Sequence, residues 1–207
     1  MGGRAVSTAT VGALRAHGQV VRVPPRPGLE VATALGMVAF IALDGAGQSQ
    51  GAGLVSLAIS MIIVLRMRDW HVGGVLHDPE VWPLHLGFLW LALGLALIGL
   101  ERLEAISLPD SGALHALAAG GIGTVTLVMV LRVARQRANE PTVSTGWLQV
   151  LQLIMALAVL LRVGGGWAFP AQHNRMLWLS AAAWAMAFGL GAFQLLPALR
   201  RPARATG

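Results

Sequence analysis

Between Asp78 and Arg132 two apolar runs follow one another with only a short acidic break, and each carries a single histidine near its start. The first reads VWPLHLGFLWLALGLALIGL and holds His85; the second reads SGALHALAAGGIGTVTLVMVLRV and holds His115. Crossing the hydrocarbon of a bilayer takes roughly 20 helical residues at about 1.5 Å each. Both runs therefore read as membrane-spanning helices. An ionisable side chain inside such a helix is costly to keep there, so each histidine is a functional-site hypothesis.

The rest of the chain repeats the pattern. Of 207 residues, 56% are hydrophobic and 12% charged, which is the composition of a membrane protein. All 15 basic residues are arginine, and the formal net charge is +6. A nucleic-acid surface would gather such charge into a patch. Here the arginines sit in short segments between apolar runs, so the charge speaks for topology and against nucleic acid. With no cysteine, disulfides, thiolate metal sites, iron–sulfur clusters and covalently attached c-type haem are excluded.

The order of runs predicts an all-α integral membrane protein, a bundle of six transmembrane helices over 28–46, 52–67, 81–100, 111–133, 145–163 and 175–199. Residues 1–27 hold Arg4, Arg15, Arg22 and Arg26 with no acid, and end in prolines. They are too polar for a signal peptide and read as a basic, partly unstructured cytoplasmic tail. A second basic tail occupies 200–207, with Arg200, Arg201 and Arg204. If the N-terminus is inside, twelve arginines fall on the inner segments and three, Arg102, Arg162 and Arg175, on the outer ones. That bias predicts both termini in the cytoplasm. Trp70, Trp82, Trp147, Trp167 and Trp178 fall near the predicted interfaces, as an aromatic belt does.

Within the spans, Ser56 and Ser60 stand four apart, a spacing that suits close helix contact. Gly120, Gly121 and Gly123, with Ala116, Ala119 and Thr124, give the fourth span a small-residue face open to a neighbouring backbone or a flat macrocycle. The loop after the second span carries His71, His77 and Asp78, which offer imidazole and carboxylate to a metal such as copper. The same loop also reads as a solvated segment anchored by Trp70 and Trp82.

The residues Asp78, Pro79, Trp82, Leu84, His85, Leu86, Gly87, Trp90, Leu91 and Leu93 to Leu95 form one motif block. Ala113 to Leu117, Gly120, Ile122 to Thr124, Leu127 and Arg132 form a second, and Leu160, Leu161, Arg162 and Val163 continue it loosely. In this order the blocks resemble the C-terminal half of NnrS-family proteins, multispanning bacterial membrane proteins linked to the nitric oxide response and associated with haem and copper. The resemblance covers roughly residues 60–200. The chain lacks the Trp-His-x-His-Glu type motif of the family's N-terminal half. Where the family tends to Gly-His-Thr-Gly after the second block, it has Ala134-Arg135-Gln136-Arg137.

The resemblance implies a protein of the bacterial cytoplasmic membrane holding b-type haem on histidine. With the placement of the two histidines, it points to His85 and His115 as ligands of haem iron or copper. Arg132 is placed to pair with a haem propionate, Arg162 is a further cofactor-binding candidate, and His71, His77 and His173 read from their positions as further metal ligands. In the predicted topology His85 lies in the inner leaflet and His115 in the outer, on the order of 18 Å apart along the membrane normal at the helical rise. The two cannot ligate one iron, so they serve two centres or only one binds. Arg132 is placed to assist His85; His173, Met176 or Arg162 are placed to assist His115.

Three functions remain open at this point. The chain is an NnrS-like haem protein that senses, binds or buffers nitric oxide or another small gas in redox stress, a b-type electron carrier, or a non-catalytic membrane subunit of a larger complex. Nothing in it supports a hydrolase or a transferase. As half of a larger family fold, it is expected to meet a second copy of itself or a partner membrane subunit within the lipid bilayer.

Overall fold

The computed structural model describes residues 2–16, 26–70, 78, 81–108, 112–138 and 145–199. The described residues are almost wholly helical and contain no strand. Six stretches are long and apolar enough to cross a membrane. In chain order the helices are α1 (Gly2–Ala16), α2 (Pro27–Gly45), α3 (Ser49–Arg68), α4 (Trp82–Arg102), α5 (Gly112–His115), α6 (Thr124–Ala138), α7 (Thr145–Val163), α8 (Gly165–Ala168) and α9 (His173–Leu199). A π-helical segment, Ala116–Gly123, joins α5 to α6, and the three together make the fourth span.

Local sequence explains the starts of two spans. Pro27 and Pro83 sit in the first turns of α2 and α4, where a missing N–H costs nothing. The spans then pack in two groups. α2, α3 and α4 form one, α7 and α9 the other, and the fourth span touches both. α4 is the centre, with 61% of its apolar window buried, whereas α2 has 0% buried and lies at the periphery.

Two close approaches set this arrangement. A Cβ on Gly94 would lie 2.6 Å from the backbone nitrogen of Leu117, so only glycine lets α4 meet the π segment. α3 and α4 cross at a reciprocal pair, where a Cβ on Gly53 would meet the Gly99 carbonyl at 3.0 Å and one on Gly99 the Gly53 carbonyl at 2.9 Å. The spacing of Ser56 and Ser60 serves the same crossing. Their hydroxyls donate to the carbonyls of Leu95 and Ala92, each at 2.7 Å. Such bonds between membrane helices contribute on the order of 0.6 kcal/mol each.

Ion pairs fix the ends of the first three spans. Arg26 pairs with Asp69 at 2.8 Å and Arg66 with Glu30 at 3.5 Å at one end; Arg102 pairs with Asp44 at 2.8 Å at the other.

The stretch expected as a partly unstructured tail over 1–27 begins instead with α1. Val6, Thr10 and Leu14 recur every four residues and are all buried, with Ala9 beside them, while Arg15 stays exposed. Val6, Ala9 and Leu14 join one apolar cluster with Trp70, Val81, Leu84 and Phe88 of the bundle. The basic residues suggested a tail, but the four-residue apolar spacing decides the structure. Residues 17–25 and 200–207 lie outside the described residues.

Candidate functional site

His85 stands in the second turn of α4. Its Nδ1 lies 3.0 Å from the Val81 carbonyl one turn back. A carbonyl only accepts, so Nδ1 donates to it. Nε2 lies 3.5 Å from Thr10 Oγ1 of α1, and that hydroxyl donates to the Val6 carbonyl at 2.9 Å. Trp70 meets the imidazole edge-on, its ring centroid 5.9 Å away, and Phe88 packs on Trp70 at 4.9 Å. His85 is 3% exposed and Thr10 0%. The imidazole is walled by α1 and Trp70. Trp70, read from the sequence as an interface anchor, is buried against it.

His115 occupies the opposite kind of place. It ends the single turn of α5, directly before the π segment. It lines a cavity of about 700 Å³ together with Ala118 and Ala119 of that segment, Ala158 and Arg162 of α7, and Asn174, Leu177, Trp178, Ser180, Ala181 and Trp184 of α9. Four alanines leave the space; two indoles and a leucine give it apolar walls. Ser180 is turned away, its hydroxyl donating to the Ala158 carbonyl at 2.7 Å. Among the described residues the lining contains one imidazole, one guanidinium and no carboxylate, a set that suits an anionic group.

Of the residues singled out in the sequence, the structure brings His115 and Arg162 together and keeps His85 apart from them. Arg132, on α6, lies one turn beyond Val128, which packs in the cluster of Leu84 and Phe88. It therefore sits toward the His85 end, with its terminal NH1 nitrogen buried and without a hydrogen-bond partner among the described residues. His173 opens α9 one residue before the cavity but is not part of its lining, and Met176 packs on Gly165 instead. His71 and His77 lie outside the described residues. Among the described residues no three His, Cys, Asp or Glu gather as a metal site.

Sequence reasoning missed Thr10, Trp184 and the long wall that α9 contributes. Thr10 was legible as the middle of a buried every-fourth stripe. Trp184 was not, because one tryptophan on an apolar helix looks the same facing lipid or facing a cavity.

A family model described as "NnrS protein" matches residues 1–203. The chain belongs to the NnrS family. The match takes in α1 and the first two spans, well beyond the two motif blocks within 60–200 that carry the resemblance in the sequence. No curated protein and no solved structure matches the chain. Family membership and six candidate spans make this a multi-pass membrane protein.

Proposed function

We propose that this NnrS-family protein binds b-type haem in the cavity between the fourth span, α7 and α9, and through it a small gaseous ligand in the response to nitric oxide. The observation that carries this reading is the pairing of His115 and Arg162 on one apolar cavity of about 700 Å³, within the size range of cofactor sites. The donor set fits the group. His115 would offer an imidazole nitrogen to the iron, Arg162 a guanidinium to a propionate, and the alanines and tryptophans an apolar face for the ring, in a cavity open on one side. Bound there, haem would supply an iron able to take up a diatomic gas.

One feature favours gas binding over electron carriage. Among the described residues His115 is the one histidine or methionine in the lining, so the protein would hold a haem iron there through one side chain and leave room for a diatomic gas. Copper has no comparable support among the described residues. The arginine bias supports an orientation with both termini in the cytoplasm, which turns this cavity toward the outer face of the bacterial cytoplasmic membrane.

The test is a pyridine haemochrome assay on protein purified from haem-replete membranes, followed by carbon monoxide addition to the reduced sample. The reading predicts near-stoichiometric haem b and a shifted Soret band with carbon monoxide. Protein free of haem would end it. Haem that ignores carbon monoxide would favour the electron carrier.

A further inference from the structure

Among the described residues, three polar side chains in the middle of the bundle lack hydrogen-bond partners. Gln152 of α7 is 1% exposed, and neither its amide oxygen nor its amide nitrogen is bonded. Thr124, the first residue of α6, is 1% exposed with an unbonded hydroxyl. Trp90 of α4 is buried with an unbonded Nε1.

They lie at neighbouring levels of one interface. The fourth span and α7 run antiparallel, with Gly112 opposite the Val163 carbonyl and Gly123 opposite Met155. Leu127 and Leu131 then pack with Leu148 and Leu151. This register sets Gln152, one turn from Met155, at the level of Thr124, one residue after Gly123. Trp90 rests on Gly120, one turn from Thr124, where a Cβ would meet its Cγ at 2.9 Å. The indole nitrogen of Trp184 would be 3.5 Å from a Cβ on Gly123, so the cavity's tryptophan wall stands next to this level.

Lipid offers such groups nothing, and a buried amide without partners is costly to keep. Buried polar groups in proteins are nearly always satisfied, and where the protein does not do it an internal water commonly does, with two to four partners. Gln152 brings two donors and two acceptor lone pairs, Thr124 one donor and an acceptor, Trp90 one donor.

We propose that the Gln152–Thr124 level is a binding site for a small neutral hydrogen-bonding molecule, water in the resting protein, behind the Trp184 wall of the cavity. It is independent of the haem reading, since none of the three residues lines the cavity. It gives the interior of the bundle a hydrated pocket one wall away from the ligand site.

Radiolytic hydroxyl labelling with mass spectrometry tests this in the full-length protein, because side chains beside bound water are labelled even when buried. Trp70 is the control for Trp90: it is the same residue type, 4% exposed against 7%. The expected result is that Trp90 and Met155 label severalfold faster than Trp70. In Thr124→Val with Gln152→Leu they fall to its rate, while Trp178 in the cavity is unchanged. Labelling of Trp90 no faster than Trp70, or undiminished in the double variant, overturns the site. Should the double variant not fold, Thr124→Val alone decides by thermal melting. A hydrated hydroxyl predicts an unchanged or lower melting temperature, and a dry unbonded one predicts a rise.

Discussion

Two histidines on neighbouring helices, in similar motif positions, meet opposite environments. His85 is bonded through Nδ1 to the Val81 carbonyl, walled by Trp70 and covered by α1, whose Thr10 lies beside Nε2. His115 opens onto a cavity with Arg162 and two tryptophans. The difference comes from what packs beside each helix rather than from the helix itself. At the His85 end the N-terminal stripe Val6–Thr10–Leu14 fills the space. At the His115 end α7 and α9 present alanines where larger side chains would close it. An intramembrane histidine thus marks a candidate site only after its neighbours are known: here one is packed in on all sides and the other lines a cavity.

The largest effect is expected from removing the cover. Val6→Asp with Leu14→Asp places two charges in the α1 interface and should release the helix. Carbethoxylation of His85 by diethylpyrocarbonate is then expected to rise at least tenfold, with His115 unchanged. Equal reactivity of the two histidines in the wild type would break the comparison at once.

Next comes Arg162→Leu, which takes from the cavity the one guanidinium among its described lining residues. It is expected to lower retained haem severalfold after detergent washing, with Arg162→Lys intermediate because lysine lacks the bidentate fork. Arg132→Leu is expected to leave haem content unchanged, since Arg132 is not part of that lining.

His85→Ala should be a stability variant. Removing a buried, hydrogen-bonded ring costs about 2 kcal/mol, or roughly 6 °C in melting temperature for a chain of this size. Its haem content should match the wild type.

The smallest effect belongs to the α3–α4 crossing. Ser56→Ala and Ser60→Ala should each cost on the order of 0.6 kcal/mol, the usual worth of an interhelical bond in membranes. They should leave both histidines as they are.

Much of the fold was legible in the sequence, because long apolar runs between arginine-bearing loops leave a chain little choice. The serine pair also announced its role, as hydroxyls four apart share one helix face. α1 was misread because charge at its ends outweighed a short apolar stripe, and a 15-residue helix gains its stability from docking rather than from its own propensity. The site was half legible. His115 and Arg162 were separate candidates, and nothing in sequence spacing says that α7 and α9 bring them to one cavity. Gln152 carried a signal that went unused, a polar amide in the middle of an apolar span.

The central claim is that the His115 cavity, not the His85 environment, holds the cofactor. It is tested most directly by the haem-to-protein ratio of His115→Ala and His85→Ala, purified side by side in one detergent with the wild type. The account predicts at least a tenfold loss for His115→Ala and a wild-type ratio for His85→Ala. Full haem in His115→Ala, or its loss only in His85→Ala, would contradict it.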